Sequence, residues 1–479
     1  MASSSLARLP WLLAFGALLG ALGGCGGSEA TPPGHDPPPT PSEGPTYHAD
    51  IEPILRRSCV GCHHDGGLAP FSVATYADAK EVALSLPSAA RSGLMPPFGA
   101  ETTDECQPEH PWRDDPRLDE AEIDLLQAWY DADTPEGVDT GDPSAPAPSY
   151  TFELPGVEKE VAPAAAFLAT GESDIFRCFV LDPELAADTY LNGAQVLPGN
   201  PSVVHHAVLF SDPQGASSGL ADADGGYDCF GGADVPGAQI LDVWVPGSPP
   251  REYPPDVGIP LTAGTKLVMQ IHYHPLGASA DPDSTRLQMR FVEAPTYQLV
   301  TIGMGNYNAP SVEDAFGTGE LLPGPNDEGG VEFRVPADVA DHTESMRLTL
   351  DVGDDGELPP IYIFGVFNHM HYVGKDMRLS MRHADRGGAE ECLLHTPHWD
   401  FSWQRFYAYD RPIEQLTRIG PGDVFEMFCK YNNSVSNPYV MRALKEQGMM
   451  EPVDVYLGEQ TLDEMCVSAL QVVVPIPTP

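Results

Sequence analysis

The sequence predicts a mainly β protein with a small α-helical unit in front of it, and three observations indicate this. From about residue 150 to 472, short alternating apolar and polar segments are broken by Gly, Pro, Asn and Asp, as in strands joined by turns. No long helical periodicity occurs there. Just before it, "DEAEIDLLQAWYDAD" carries a capping box, Asp119 with Glu122, and then apolar residues at helical spacing. The strand-rich part is long enough for two β-sandwiches.

Residues 1–25 predict export. One Arg, an apolar stretch and small residues ending in Cys25 are typical of a signal peptide. The Leu22–Cys25 ending resembles the lipobox of bacterial lipoproteins, in which the Cys is lipidated. We therefore expect an exported chain anchored through lipid on Cys25 to the cell envelope, in the periplasm or at the outer membrane or cell surface. The alternative is an ordinary signal peptide with an incidental Cys.

The composition predicts two linkers, and the net charge excludes one class of partner. Residues 26–46 and 138–150 are rich in Pro, Gly and Ser, a composition that builds no core. The chain has 70 acidic and 25 basic residues and a net charge of -45. Such a field repels phosphate and excludes a nucleic-acid partner.

Residues 47–137 contain a haem-attachment motif. "CVGCH" at 59–63 is the C-x-x-C-H pattern of c-type haem, in which Cys59 and Cys62 form thioethers and His63 is an axial iron ligand. The alternatives are a redox-active or zinc-binding cysteine pair. Export argues against zinc, and no βαβ pattern surrounds the motif to support a thioredoxin-like fold.

Met95, in the Pro-stiffened loop "GLMPPFGA", is the candidate for the second axial ligand, because a thioether is a soft donor. It also fits an ordinary core methionine. His64 competes weakly, since it follows His63 directly and does not reach the opposite haem face. "YHADIEPILRRSCVGCH", "APFSVATYADA" and "LMPPF" make 47–137 resemble small class I cytochrome c domains, which implies one haem c per chain.

Six of the 15 histidines fall in three predicted strands. They are His205 and His206 in "SVVHHAVLF", His272 and His274 in "TKLVMQIHYH", and His369 and His371 in "NHMHYVGKDM". Residues two apart share a strand face, whereas His205 and His206 need a bulge to reach one metal. A single strand histidine is usually a surface or core residue, but three clusters together indicate metal binding.

Met465 is a further candidate ligand, in "TLDEMC". A thioether is a poor ligand for zinc and a good one for Cu(I), so two His and one Met indicate copper. Met370 and Met377 are nearer in sequence. However, Met370 points to the other face of its strand, and Met377 matches no motif.

The segments "HHAVLF", "QIHYHP", "HMHYVGKDM", "CKYNNS" and "TLDEMC" resemble the copper type II, ascorbate-dependent monooxygenases, the family of dopamine β-monooxygenase and peptidylglycine α-hydroxylating monooxygenase. "LLHTPHWDFSWQ" resembles the dopamine β-monooxygenase branch. The resemblance implies two jelly-roll-like β-sandwich copper domains, here 151–297 and 298–472. Each domain would hold one copper facing a solvent-filled cleft.

The resemblance also implies which residues hold each copper. His205, His206 and His272 match the electron-transfer copper. His274 is then a neighbour, although strand geometry alone does not separate it from His272. The oxygen-binding copper, with the catalytic residues, matches His369, His371 and Met465.

Nine cysteines are present, and six remain after Cys25 and the haem pair. The resemblance implies the disulfides Cys178–Cys229 and Cys429–Cys466. Cys106 and Cys392 lie in different predicted domains. They either pair or stay as separate thiols, and we expect separate thiols.

The implied reaction hydroxylates a C–H bond of a small organic substrate with O2. The family takes electrons from ascorbate, and here the fused haem would replace or supplement it, itself reduced by a redox protein. An Arg that clamps the peptide carboxylate in one branch of the family is replaced by Phe367, so a peptide substrate is not expected. Two alternatives are a non-enzymatic copper and haem lipoprotein that transfers electrons or handles copper, and a structural β-sandwich protein.

Overall fold

The protein is mainly β, as the sequence predicts. The computed structural model describes residues 44–67, 69–140, 153–171, 174–229, 231–275, 281–306, 319–349, 359–401, 403–458 and 462–477. The predicted signal segment with Cys25 and residues 26–43 and 141–150 of the predicted linkers lie outside them. No helix among the described residues has both the length and the apolar character to cross a membrane.

Twenty-two strands occur in the described residues. In chain order they are β1 Lys159–Val161, β2 Ile175–Leu181, β3 Thr189–Leu197, β4 Val204–Asp212, β5 Gly226–Asp228, β6 Gln239–Trp244, β7 Arg251–Glu252, β8 Val257–Leu261, β9 Lys266–Tyr273, β10 Arg286–Val292, β11 Tyr297–Asn306, β12 Gly319–Leu321, β13 Arg334–Val335, β14 Val339–Thr349, β15 Ile361–His369, β16 Gly374–His383, β17 Ala389–Thr396, β18 Tyr407–Ala408, β19 Arg418–Ile419, β20 Val424–Asn433, β21 Val455–Tyr456 and β22 Cys466–Pro475.

The helices lie mostly before the strands. They are α1 Glu52–Ser58, α2 Tyr76–Val82, α3 Leu86–Arg91, α4 Glu120–Asp131 and α5 Pro438–Glu446, with a π-helical turn Tyr47–Ile51 and 3-10 turns Ala216–Gly219 and Ile413–Gln415. The predicted capping box is confirmed, because Asp119 accepts a hydrogen bond from Glu122 N and Glu122 accepts one from Asp119 N. The helix α4 buries Leu126 and Trp129 against Tyr47 in the core of the helical unit.

One ten-stranded sheet extends through both halves of the strand-rich part. Its main order is β1-β10-β3-β8-β11-β22-β15-β18, with β7 added on β3 and β19 on β15. The halves meet where β8 and β11 run parallel, Tyr297 opposite Val257. Of the predicted histidine strands, β15 lies in this sheet, whereas β4 and β9 lie in the five-stranded sheet of the first half.

A five-stranded sheet covers each half. The order is β5-β2-β9-β4-β6 in the first half and β12-β14-β20-β16-β17 in the second. Apolar side chains from the five-stranded and ten-stranded sheets share one core. Examples are Met269 with Leu287 in the first half and Phe425 with Val472 in the second. Packing of two sheets on each other is how a strand-rich chain buries its apolar faces.

The segment between α3 and α4 crosses onto the second half of the strand-rich part. Glu101 N donates to His395 O at 2.9 Å, and Arg378 donates to Glu105 O at 2.9 Å. Cys106 in this segment forms a disulfide with Cys392 of β17. The expectation of separate thiols is therefore wrong. The crossing depends on contacts nearly 300 residues apart in sequence, with a separation of 286, and no local pattern encodes it.

The other two disulfides are those implied by the resemblance. Cys178 of β2 pairs with Cys229, and Cys429 of β20 pairs with Cys466 at the start of β22. Three disulfides are typical of exported proteins.

The helix α5 is a departure from the strand pattern, and Asn437 begins it by accepting a hydrogen bond from Tyr439 N.

Candidate metal and haem sites

Three histidines converge on the five-stranded sheet of the first half. His205 and His206 lie on β4 and His272 on the paired strand β9. The register of β4 against β9 shifts between Val204 and His206, which is the bulge that the sequence required. Without it, adjacent strand residues point to opposite faces. The bulge lets both side chains turn toward His272.

The spacing of these imidazoles fits one metal ion. The Nδ1 atoms of His205 and His206 are 3.3 Å apart, and those of His206 and His272 are 3.4 Å apart. Two nitrogens bound at about 2.0–2.1 Å to one tetrahedral metal lie about 3.3–3.4 Å from each other. These two distances therefore fit shared coordination, and one ring nitrogen from each of the three histidines lies within 4.8 Å of the others.

Asp174 orients His272 and separates it from His274. Its carboxylate lies 3.0 Å from His272 Nε2 and 2.7 Å from His274 Nδ1, and it also pairs with Arg442 of α5. A carboxylate behind an imidazole fixes the ring and leaves its other nitrogen for a metal. His272 thus belongs to the cluster, while half-exposed His274 lies outside it.

Burial keeps these histidines neutral, the form that binds metal. It lowers the pKa of His205 to about 3, and it lowers the pKa of His206 well below the ordinary value, together with the neighbouring His272. Burial also opposes ionisation of Asp174, but hydrogen bonds and charge from His272 and its other partners hold the pKa of that carboxyl below its usual range.

The second pair, His369 and His371, does not share one strand as predicted, because His369 ends β15 and His371 lies in the connection between β15 and β16. Their ring centroids are 5.1 Å apart. His369 Nδ1 donates to Gln404 Oε1 at 2.6 Å, and His371 Nδ1 donates to Asp463 O at 3.0 Å. Because each Nδ1 carries its proton toward an oxygen, each ring presents the Nε2 lone pair for metal binding. Burial lowers the pKa of His369.

Met465 is held beside this pair by the residue before it. The Glu464 carboxylate accepts hydrogen bonds from the backbone N–H groups of His371, Val373 and Met465. Burial raises the pKa of this fully buried group to about 8. On the other side, Tyr431 OH donates to Met465 O at 2.9 Å. The backbone of buried Met465 is therefore tied to the His371 segment through the Glu464 carboxylate.

The rival methionines are core residues. Met370 is fully buried, and its Cβ lies 2.7 Å from the position of a Cβ on Gly374. Met377 of β16 is likewise fully buried in the core that the two sheets share. Both therefore have a packing role that needs no metal.

A single aromatic ring separates the two histidine groups. The Phe401 centroid is 6.4 Å from His206, 6.3 Å from His272 and 6.2 Å from His371. Beside it is a cavity of about 130 Å³ lined by Asp174, His205, His272, His274, Tyr372, Phe401, Tyr439 and Arg442. The two groups therefore lie within one aromatic side chain of each other.

A larger, apolar cavity of about 450 Å³ surrounds the C-x-x-C-H motif. Cys59, Cys62, His63 and Met95 all line it, and so do Val245, Pro246, Trp403 and Arg405 from the strand-rich part. Among the described residues, Cys59 and Cys62 are the cysteines outside disulfides. The four predicted haem ligands and attachment points thus share one cavity of the size that a prosthetic group requires.

The chemistry of the motif argues against a redox-active cysteine pair and leaves His63 able to bind iron. Burial raises the pKa of the Cys59 thiol to about 12 and that of Cys62 to about 11, whereas a redox-active cysteine pair has lowered values. His63 Nδ1 donates to Phe71 O at 3.2 Å, which leaves Nε2 for iron. His64 bonds to Asp65 O and does not line the cavity.

Sequence reasoning missed four residues that shape these sites. Asp174, Phe401, Gln404 and Glu464 each touch a predicted ligand. Glu464 stands next to Met465, and Phe401 and Gln404 lie in the aromatic-rich stretch before β18. Only that stretch carried a signal, because isolated acidic or amide residues usually indicate a solvated surface.

Comparison with known proteins identifies no relative. No family model and no curated protein matches the chain. Among solved structures, the major capsid protein of bacteriophage PM2 is 8% identical with a TM-score of 0.22, covering 67% of this chain and 98% of that one. The glycosylasparaginase PNGase F of Flavobacterium meningosepticum is also 8% identical, with a TM-score of 0.25, covering 67% and 96%. Scores this low define no shared fold.

Proposed function

We propose that this chain is an exported copper monooxygenase, similar to the copper type II, ascorbate-dependent family, with a fused c-type haem domain. It would hydroxylate a C–H bond of a small organic substrate, using O2, two electrons and two protons to give an alcohol and water. The observation that carries the proposal is the pair of imidazole groups. In one, His206 Nδ1 lies close to the Nδ1 atoms of both His205 and His272, and in the other, Glu464 joins the His371 segment to buried Met465.

The two groups of residues differ in the donor atoms that they offer a metal, which suits them to different roles. His205, His206 and His272 offer nitrogen alone, whereas His369 and His371 have the softer sulfur of Met465 beside them. Copper bound at such sites supplies one-electron redox chemistry and O2 activation. Asp174, Gln404 and Asp463 O would hold the rings in the tautomers that bind metal.

The surroundings of His369 indicate an apolar substrate. Phe367 stacks on His369 with centroids 6.2 Å apart and planes 12° apart, and it packs on fully buried Phe406. No basic side chain stands at position 367 to bind a carboxylate. We therefore favour a small uncharged or aromatic substrate over a peptide acid.

The position of Phe401 favours one alternative, a non-enzymatic copper and haem electron carrier. Its ring fills the space between the two histidine groups, where an oxygenase of this kind needs room for substrate. Three disulfides fit an exported protein in either case, and anchoring through Cys25 is part of the proposal.

Carbon monoxide binding separates the two functions. In the reduced, copper-loaded protein we expect infrared spectroscopy to detect one copper-bound CO per chain, because an O2-reacting site keeps an open position. His369→Ala should abolish this band, while the matched change His205→Ala at the other group should leave it. Absence of a copper-bound CO band in the wild type would favour the electron carrier.

Turnover with isotopically labelled O2 tests the reaction itself. We expect labelled alcohol from small aromatic substrates with ascorbate as reductant. The double variant Cys59→Ala/Cys62→Ala should lose covalent haem and turnover with a reduced haem-protein donor, yet keep turnover with ascorbate. Unchanged turnover of that variant with the haem-protein donor would remove the haem from the electron supply.

A further inference from the structure

Residues 403–406 join the haem cavity to His369 by strict alternation. Trp403 and Arg405 line the cavity together with Cys62 and Met95. Between them, Gln404 accepts a 2.6 Å hydrogen bond from His369 Nδ1. One short stretch of chain therefore faces the predicted haem on one side and a predicted metal ligand on the other.

The connection is rigid. Gln404 is 6% exposed, and its Nε2 donates to Phe401 O at 2.9 Å, so both ends of the amide are bound. Trp403 N donates to Asp400 O at 3.0 Å. Fixed contacts keep the distance between donor and acceptor constant, which electron transfer requires because its rate falls steeply with distance.

Arg405 adds a charge that faces the same cavity. Its guanidinium lies over the rings of Phe98 and Tyr407, at 5.1 and 5.9 Å, and its Nε has no hydrogen-bond partner. No described carboxylate lies within ion-pair distance of it. Burial lowers its pKa, and the more distant carboxylates of Asp114 and Asp242 oppose this only in part. A buried cation without a counter-ion is unfavourable. Haem carries two propionate carboxylates, which would supply that counter-ion.

We propose that Trp403 and Gln404 carry electrons from the haem to the His369, His371 and Met465 site, with Arg405 binding a haem propionate. The inference rests on the proposed function, since it requires both cofactors. In each step ferrous haem is oxidised to ferric haem and one Cu(II) is reduced to Cu(I). One electron moves, and no bond forms or breaks.

A second route leads to the other histidine group, and it is longer. Cys62 Sγ lies 3.5 Å from Pro246 O, and two residues before Pro246 is Trp244, which pairs with Ala207 beside His206. That route consists of the contact from Cys62 Sγ to Pro246 O, the three residues 244–246, and the pairing of β6 with β4. The route through Gln404 runs from the cavity-lining Trp403 through one peptide link and the Gln404 side chain to one 2.6 Å hydrogen bond. Fewer intervening bonds mean stronger electronic coupling, so the His369 site should be reduced first.

Anaerobic kinetics on the full-length, copper-loaded holoprotein tests this. A photochemical one-electron donor reduces the haem, its absorbance reports reoxidation, and freeze-quenched EPR counts the remaining Cu(II). We expect Gln404→Ala to slow haem reoxidation by about 10-fold to 100-fold, as for loss of a group that hydrogen-bonds a metal ligand. Trp403→Leu should slow it comparably, and Gln404→Glu, which keeps an acceptor for His369, should restore it.

The matched control is Trp112→Leu. That indole stacks on Tyr409, 5.0 Å away, and lines neither the haem cavity nor the histidine groups. Metal and haem contents measured on every variant exclude loss of cofactor. Unchanged rates in Trp403→Leu and Gln404→Ala would overturn the inference, while the proposed function would stand if labelled alcohol still forms. Rapid transfer without any alcohol would instead overturn the proposed function alone.

The potential of the haem tests the role of Arg405. A nearby positive charge favours the ferrous state, so Arg405→Met should lower the haem reduction potential and Arg405→Lys should keep it near the wild-type value. Equal potentials in Arg405→Met and the wild type would contradict propionate binding by this residue.

Discussion

Asp174 meets His272, His274 and Arg442 at the edge of the first histidine group. Only His272 belongs to the group itself, yet its ring direction depends on the carboxylate behind it. Arg442 comes from α5, in the other half of the chain. One acidic residue thus orients a predicted ligand and links the two halves at the site.

Asp174→Asn should weaken copper binding at this group. An amide supports the imidazole less well than a carboxylate, and loss of such a partner typically costs about 10-fold to 100-fold in metal affinity. The measurement is a competitive copper titration of the reduced protein. Asp376→Asn is the matched control, because Asp376 also faces a histidine, His395, at 2.9 Å, but lies in neither histidine group. Equal affinities in all three proteins would show that Asp174 has no orienting role.

Asp376 itself predicts a pH dependence of stability. Burial would raise its pKa, but His395 and Lys430, each 2.9 Å away, together hold it below the usual value. A lowered pKa means that the stabilisation is present above the unfolded value of about 4 and is lost as the pH falls through the folded value.

Near neutral pH, Asp376→Asn should therefore destabilise the protein by about 1–3 kcal/mol, because Lys430 loses its charged partner. Denaturant unfolding curves of both proteins should converge as the pH falls below about 4. A difference that stays constant across this range would argue against an ionised Asp376 in the folded protein.

At the scale of elements, the sequence predicted the strands that carry the histidines but not their surroundings. The segments around His205 and His272 follow the strand patterns read from the sequence and form β4 and β9. The single strand predicted across 368–377 is wrong, because β15 ends at His369 and β16 begins only at Gly374. Adjacent histidines on β4 required a bulge, and one is present. The partners Asp174 and Gln404 come from distant segments, so only tertiary pairing places them.

The helix α5 is another feature that the local sequence did not predict. Its nine residues, Pro438–Glu446, interrupt a region read as strands and turns. Tyr439 stacks on Tyr372 with planes 7° apart, beside the cavity next to His205. A helix this short is stabilised by packing rather than by its intrinsic propensity, which explains why the local sequence did not indicate it.

The disulfide Cys106–Cys392 should stabilise the crossing segment. Removing it with Cys106→Ser/Cys392→Ser should lower the free energy of unfolding by about 2–4 kcal/mol, since it closes a long loop. The segment should also become accessible to limited proteolysis near Cys106. Cys178→Ser/Cys229→Ser is the matched control, because that bridge lies within the first half and its loss should leave this cleavage site protected. Resistance of the first variant to cleavage would show that backbone contacts alone hold the segment.

At the scale of the whole molecule, the ten-stranded sheet joins the two halves of the strand-rich part. It carries β8 and β11 side by side, so the two halves are joined by backbone hydrogen bonds and not by a loop alone. The haem cavity is closed by residues of the helical unit and of the strand-rich part. The cavity around Cys59, Cys62 and His63 and the two histidine groups therefore belong to one folded unit, Gly44–Pro479.

The net charge of -45 acts at the same scale. It keeps anionic polymers away and favours a cationic or neutral redox partner, because long-range fields steer association. Charge alone identifies no substrate. The central claim concerns the metals, and it depends on the residues around Met465.

The most direct test is metal analysis with copper-edge X-ray absorption on the reduced protein, comparing the wild type with Met465→Ala. The account predicts two copper ions and one haem iron per chain, with a copper–sulfur contribution that is present in the wild type and absent in the variant. A protein that binds no copper, or copper without any sulfur neighbour in the wild type, would contradict the proposed oxygenase site.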